Sequence, residues 1–173
     1  MRLFIAVNFN DKTKSLLIKV RDELRAHSKT GNFSTPENMH LTLAFLGECD
    51  MSMISAAKTA LEAVSFEPFS IEIDQIGRFR RNGGDIWWAG IKENSTLSGL
   101  HERLSDMLLD AGFVLENRKF NPHITLGREV KTKVVPWNIT AFGEEVKSIE
   151  LMKSERIQGK LTYTAIHRKP ASL

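Results

Sequence analysis

The chain of 173 residues holds a single cysteine, Cys49. Without a second thiol no disulfide can form within it, and a reducing compartment, the cytoplasm, is the natural home. No apolar run approaches the ~20 residues that a membrane span requires. The opening Met1-Arg2-Leu3-Phe4-Ile5-Ala6-Val7 has an apolar stretch too short for a secretory signal. Surplus charge is scarce as well: 24 Lys and Arg stand against 21 Asp and Glu, a formal +3. That balance permits an anionic partner without demanding one, and a protein that coats duplex nucleic acid would carry more. Low-complexity tracts and an interdomain linker are also missing. What is present is an ordinary globular balance, 42% hydrophobic and 26% charged, in a length that fits one domain or two small lobes sharing a core.

Apolar residues recur in alternating strand and helix periods. Leu3 to Val7 reads as a buried strand. Asp11 can cap a helix with Leu17, Val20 and Leu24 on one face. A loop punctuated by Gly31 and Pro36 leads to a strand from Met39 to Leu46 that stops at Gly47. Asp50 or Ser52 can cap a second helix, with Ile54, Ala57, Leu61 and Val64 inside. Phe69 to Ile76 alternates as a half-buried strand, Asn82-Gly83-Gly84-Asp85 turns the chain, and Ile86 to Ile91 pairs back. Ser95 or Ser98 opens a third helix with Leu97, Leu100, Leu104, Met107 or Leu108, and Ala111 on one face, ended by Gly112. His123 to Gly127 is the next strand. Ser148 to Ser154 and Tyr163 to His167 follow, with a turn at Gly159. Hairpins and single helices join these strands, which points to an α+β fold with antiparallel sheet.

One short pattern occurs twice. A helix ending near His27 leads by a loop to His40-Leu41-Thr42-Leu43. A helix ending near Gly112 leads by a loop to His123-Ile124-Thr125-Leu126. The similar approach to each motif indicates two related lobes. Alternate side chains of a strand share a face. His40 and Thr42 then point one way while Leu41 and Leu43 anchor the other face, and the second copy behaves alike. A pseudo-twofold would bring both pairs to one cleft. Two imidazoles suit phosphodiester chemistry: the neutral one takes a proton from the attacking oxygen, and the protonated one gives a proton to the leaving oxygen. The hydroxyls can donate to non-bridging oxygens. Such a site needs no metal and no cofactor. A lone strand histidine is more often structural; the repetition carries the functional reading. A metal centre on His40 and His123 would need Glu48 or Glu129 to complete it, and neither motif sets a carboxylate at ligand spacing. A non-catalytic RNA-binding module would have no need of both histidines and both threonines.

These motifs, together with Arg2 to Val7, Met39 to Gly47 and Asn121 to Arg128, resemble the two-histidine phosphoesterases over nearly the whole chain. The branch they resemble in particular is that of the bacterial and archaeal RNA 2',3'-cyclic phosphodiesterases, also called 2'-5' RNA ligases. The resemblance implies a single bilobal domain over residues 1–173, a pseudo-twofold duplication of antiparallel sheets flanked by helices around a central cleft. It implies hydrolysis of a terminal 2',3'-cyclic phosphate to a 2'-phosphate, with His40 as acid toward O3' and His123 as base toward water. Ligation through a 2'-5' bond is open to members by the same chemistry, and a related branch acts on small cyclic nucleotides. The implied partners are RNA ends carrying the cyclic phosphate, tRNA fragments among them, for a monomeric enzyme. Two further positions carry over. Arg128 matches an arginine that holds the phosphate, but by strict alternation it points away from His123 unless the strand ends or bulges at Gly127. Phe45 matches an aromatic against the base, and in a regular strand it falls on the core face with Leu41 and Leu43.

Arg78-Phe79-Arg80-Arg81 is the densest basic cluster, either a path for RNA or a solvated hairpin end. Arg118 and Lys119 can steer an anion or solubilise a loop. Trp87 and Trp88 must face opposite sides of their strand. His27, His101 and His167 lack a threonine partner and read as structural or surface residues, and Cys49 reads as inert.

Overall fold

Strand β1 (Arg2–Asn8) is buried on both of its faces, and the rest of the fold assembles around it. The computed structural model describes residues 1–173. After β1 come α1 (Asp11–Ala26), β2 (Ser28–Phe33), a short 3-10 turn (Pro36–Asn38), β3 (His40–Glu48), α2 (Met51–Ala63), β4 (Phe69–Phe79), β5 (Asp85–Ile91), α3 (Ser95–Asp110), β6 (His123–Thr132), β7 (Trp137–Val146), β8 (Ser148–Ile157) and β9 (Lys160–Pro170). The sheet runs β7-β4-β5-β6-β3-β1-β8-β9, with β2 added along β6. All its pairings are antiparallel.

The order splits at its centre. β3 and β6 pair only at Leu41 and Ile124 and diverge on either side. One lobe then reads β3-β1-β8-β9 and the other β6-β5-β4-β7. Each motif strand follows a helix that starts from the strand beside it, β1-α1 before β3 and β5-α3 before β6. This is the α+β, bilobal, pseudo-twofold arrangement that the repeated motif implied. Leu3, Ile5 and Val7 of β1 join Leu41, Ile124 and the helix residues Leu17, Leu61 and Leu104 in one core. Phe4 and Ala6 turn to the opposite face, where Met152 and Tyr163 cover them. Each fully buried aliphatic side chain in such a core contributes ~1.5–3 kcal/mol.

Several local expectations need correction. The stretch expected as a plain loop after α1 contains β2, whose Ser-Lys-Thr-Gly-Asn-Phe sequence offers one large apolar residue and is held by main-chain pairing to β6. β7 lies outside the expected strands. Trp137, Ile139 and Phe142 pack against the core, but a register shift breaks their alternation. Asn10, not Asp11, caps α1 by accepting from the Thr13 N–H at 2.9 Å. Asn94, not Ser95 or Ser98, caps α3 through Leu97 at 3.0 Å. Of the two residues considered for α2, Asp50 is the cap. On α3, Leu108 is buried while Met107 is 39% exposed, and Ala111 is an exposed cap residue outside the apolar face.

The irregularity that matters most occurs in both motif strands. Ala6 faces Thr42 and Ile5 faces Ala44, so Leu43 is an extra residue in β3. Trp88 faces Thr125 and Trp87 faces Gly127, so Leu126 is the extra residue in β6. Each bulge sits three positions after its histidine, and each inverts the strand's alternation. The burial runs match residue for residue: Leu41, Leu43 and Ala44 are buried and Phe45 is exposed; Ile124, Leu126 and Gly127 are buried and Arg128 is exposed. Phe45 and Arg128 are therefore equivalent positions, and both turn onto the face of the histidines.

The β6 strand has a second irregularity at Glu129, which takes φ 53°. Gly84 of the β4–β5 turn backs it: with φ +126°, a Cβ there would stand 2.5 Å from the Glu129 carbonyl carbon. Gly83 also has a positive φ but open space around it. We expect Gly84→Ala to destabilise by about 2–4 kcal/mol, strain and clash together, and Gly83→Ala by about 1 kcal/mol. Denaturant midpoints of the two variants check this. Equal midpoints would mean that the turn does not brace the bulge beside Arg128.

Candidate active site

With Leu41 opposite Ile124, stepping one residue along each antiparallel strand sets Thr125 across from His40 and His123 across from Thr42. The two motifs thus form one patch of alternating imidazole and hydroxyl, with the pseudo-twofold passing between Leu41 and Ile124. The bulges add Phe45 and Arg128 to this face.

Each imidazole is fixed by the main chain two residues before it. His40 Nδ1–H donates to the Asn38 carbonyl at 2.8 Å. His123 Nδ1–H donates to the Asn121 carbonyl at 2.6 Å. A carbonyl can only accept, so the proton of each neutral ring sits on Nδ1 and Nε2 carries the lone pair. The Thr42 hydroxyl reaches His40 Nε2 at 2.9 Å. His123 Nε2 has no such partner. Each Nε2 can accept a proton when neutral and deliver one when charged.

Aromatic rings wall both histidines. Phe4 lies 4.8 Å from His40 and Tyr163 meets it edge-on at 5.1 Å. Phe79 meets His123 edge-on at 5.0 Å, with Trp88 at 6.1 Å. Trp88 is thus the tryptophan on the cleft face, and Trp87 is wholly buried. Phe45 stands beside Phe4, 6.3 Å between centroids, and is 54% exposed.

Burial disfavours charge on both imidazoles. It pulls His40 down from 6.5 to about 4, against the Asn38 carbonyl, with the positive charges of His123 and Arg128 adding to the fall. His123 is lowered chiefly by burial and further by Arg128. Arg128 also acts on Tyr163, which burial pushes up. One guanidinium is thus felt by both histidines and by the tyrosine. The site holds positive and neutral groups, and no carboxylate is among the causes of these shifts. An anion is what this patch lacks. No cluster of three His, Cys, Asp or Glu side chains with metal-binding geometry occurs in the chain, and no helix is long and apolar enough to cross a membrane.

The two asparagine carbonyls, Phe4 and Tyr163 were not among the expected site residues, and Phe79, weighed only as part of the basic cluster, stands beside His123. One signal for the first was present: Asn38 and Asn121 precede their histidines at the same spacing, so the repeat is longer than His-x-Thr. The other residues come from distant strands and leave no such mark. His101 stacks flat on Phe120 at 3.8 Å, His167 pairs with Glu62 at 2.7 Å, and His27 ends α1. Arg118 pairs with Glu116 at 3.5 Å.

Comparison with known proteins gives a consistent picture. Residues 7–88 match the family described as LigT like Phosphoesterase. An RNA 2',3'-cyclic phosphodiesterase of Archaeoglobus fulgidus is 33% identical over 162 residues, 89% of this chain and 91% of that protein. One of Thermotoga maritima is 36% identical over 131 residues, 74% of this chain and 70% of its own length. Among solved structures, E. coli LigT complexed with 3'-AMP superposes with a TM-score of 0.87 at 26% identity, covering 99% of this chain and 98% of that one.

The depressed imidazoles make stability depend on pH. In the unfolded chain a histidine takes up its proton near 6.5, whereas the folded protein resists protonation. Their contribution is therefore complete above about pH 6.5 and is lost as pH falls toward 4. We expect the melting temperature to fall across that window, and less steeply in His40→Asn. NMR titration should place the His40 imidazole well below 6.5 in the ligand-free protein and move it up on adding phosphate. An imidazole that titrates at 6.5 or above without phosphate would contradict this.

Proposed function

We propose, on the premise that the chain belongs to the LigT-like phosphoesterase family, that it is an RNA 2',3'-cyclic phosphodiesterase acting through His40 and His123. The observation that carries this reading is the pair of imidazoles with Nδ1–H tied to a carbonyl, which makes Nε2 the proton-transferring nitrogen of each, open in His123 and met by the Thr42 hydroxyl in His40. Water attacks phosphorus in line. His123 Nε2 takes its proton as the new P–O bond forms. The P–O3' bond breaks, and His40 Nε2 gives its proton to O3'. The product is a 2'-phosphate beside a free 3'-hydroxyl. Thr42, Thr125 and Arg128 hold the non-bridging oxygens, where charge gathers in the transition state. Phe45 flanks the nucleobase.

The electrostatics support an anionic substrate. One imidazole must be charged and the other neutral for this cycle, yet both are pushed toward neutrality without a ligand. The phosphate supplies the negative charge that holds the missing proton, so binding and protonation are coupled. No step calls for a metal or a cofactor. The enzyme works as a monomer in the cytoplasm on RNA ends that carry the cyclic phosphate, tRNA fragments included.

RNA ending in a 2',3'-cyclic phosphate is the deciding substrate, with product identification after incubation. A 2'-phosphate is expected; RNA that binds without turnover would sink the enzyme reading, and a 3'-phosphate would exchange the roles of the two ribose oxygens. His40→Ala and His123→Ala should each nearly abolish turnover while melting as folded proteins. Thr42→Ala and Thr125→Ala should lose on the order of 10–1000-fold, as for a lost oxyanion donor. The pH profile of kcat/KM should be bell-shaped with its maximum between about 4 and 6.5, and that of kcat should lie higher because bound phosphate raises both imidazoles. A flat profile would count against the acid–base pair.

A further inference from the structure

β3 and β6 meet through one residue pair, Leu41 with Ile124, and then part. A single pair is a weak hold for two lobes whose motifs must keep a fixed spacing. The fork it leaves is closed by the chain between β2 and β3. That chain starts in the lobe of the second motif, because β2 pairs with β6 as far as Phe33 opposite Gly127. It ends in the lobe of the first motif, at His40. Ser34 sits at the mouth of the fork. Its main-chain N–H donates to the Leu126 carbonyl at 2.8 Å, and its hydroxyl donates to the Thr125 carbonyl at 2.9 Å. Leu126 is the extra residue of the β6 bulge, so both bonds fall on the segment that sets Thr125 and turns Arg128 onto the cleft. Arg21 of α1, with a 14% exposed side chain, holds Ser34 from behind by donating to its carbonyl at 2.8 Å. Asn38 is the far end of the crossing. Its side-chain amide donates to the Leu161 carbonyl of β9 at 3.1 Å, and its own carbonyl accepts from His40 Nδ1–H at 2.8 Å. Between the two ends, Pro36 fixes its own φ. Main-chain bonds from Asn38 to Thr35 and from Met39 to Pro36, 3.0 and 3.2 Å, keep the link short. The loop before the second motif bonds within its own lobe instead, where Ile91 N–H donates to the Pro122 carbonyl at 3.2 Å. The crossing therefore belongs to one lobe only and is no product of the repeat.

The geometry points to Ser34 and Asn38 as positioning residues that tie the two motifs to each other, one holding Thr125 and the β6 bulge and the other aiming the carbonyl that orients His40. This inference rests on the two-histidine reading above. In-line displacement needs the two Nε2 atoms on opposite sides of phosphorus, so an error in the distance between the lobes enters the rate directly. Neither residue offers its side-chain donor to a substrate. The Ser34 hydroxyl is engaged by Thr125 and the Asn38 amide by Leu161. They act through His40, Thr125 and Arg128. A plain brace would lower the melting temperature and leave the folded protein's kcat unchanged, whereas a positioning link loses kcat in molecules that are still folded.

The test combines kinetics, melting and NMR on single variants and their double. Hydrolysis of a nucleoside 2',3'-cyclic phosphate gives kcat and KM. Ser34→Ala and Asn38→Ala should each lower kcat on the order of 10–100-fold, with the smaller share of the loss in KM. Ser34→Thr keeps a hydroxyl and should recover most of kcat. The double variant should lose about as much as the worse single, because each change releases the same link, whereas independent effects would multiply. Asn94→Ala is the control: it removes the cap of α3 and should lower the melting temperature with kcat unchanged. In the ligand-free protein, the imidazole nitrogen shifts of neutral His40 should show Nδ1–H in the wild type and a mixture of tautomers in Asn38→Ala, with His123 unaltered. If Ser34→Ala and Asn38→Ala melt lower but keep the wild-type kcat, as Asn94→Ala should, the crossing is a brace and the proposal falls. If Ser34→Thr is as slow as Ser34→Ala, the hydroxyl is not the operative group, and the role of Ser34 falls. If Asn38→Ala leaves the His40 tautomer unchanged, the role of Asn38 falls. A wild type that does not hydrolyse the cyclic phosphate overturns the phosphodiesterase reading, and the positioning role with it.

Discussion

A strand shows one face only every second residue, so a regular strand that points a histidine and a threonine into a cleft must bury the residue five places after the histidine. Both motif strands escape this by one extra residue, Leu43 in β3 and Leu126 in β6. The extra residue stays in the core, the alternation inverts, and Phe45 and Arg128 come round to the imidazoles. Three cleft-facing positions per lobe thus share a face while the apolar or small residues between them still anchor the strand. The inversion also fixes chemistry. Without it, Arg128 would sit on the helix side of the sheet, and the only permanent cation whose field reaches both imidazoles would be removed from them.

That cation and the burial of the rings work in the same direction. Both raise the free energy of an imidazolium, and no protein carboxylate offsets them. A site arranged this way is poised for an anion with several acceptor oxygens, and it pays little to desolvate further because the aromatic walls have already displaced water. The same walls strengthen every charge interaction inside the cleft. The cost is carried by the fold: two rings are kept neutral where the unfolded chain would let them protonate.

How much of this is legible in the sequence depends on whether the information is local. The His-x-Thr repeat is, because chemistry and strand period coincide within four residues, and its duplication points to a two-lobed α+β fold. β2 is not, because its polar residues carry no period and its stability lies in main-chain pairing to β6. β7 is hidden by its own irregularity. The bulges are a middle case. Gly127 marks one in sequence, but Leu43 and Leu126 look like ordinary core leucines, and only the pairing with β1 and β5 exposes them as extra. The aromatic neighbours of the histidines come from β1, β4, β5 and β9, so their convergence belongs to topology and not to any motif.

Duplication creates a difficulty, since two identical motifs must hold different protonation states. The surroundings break the tie. Asn38 orients His40 with its carbonyl while its own amide donates to Leu161 of β9 at 3.1 Å, and Thr42 engages the remaining nitrogen. His123 has the main-chain bond alone, and its Nε2 is open. His40 is the more deeply depressed, to about 4, chiefly by burial and against the Asn38 bond, which raises it; His123 is lowered less far. If His40 is the acid, the required protonation pattern is the minor one in the empty site. A bell-shaped profile has the same form whichever histidine carries the proton, so the roles follow from reactivity and not from population. Reactivity favours this order nonetheless. An imidazolium held far below its usual pKa is the stronger proton donor toward O3', and the less depressed imidazole is the stronger base toward the nucleophile. The bound phosphate offsets the population deficit by stabilising the charged ring, and the intrinsic difference between the two histidines then acts in the direction of the reaction.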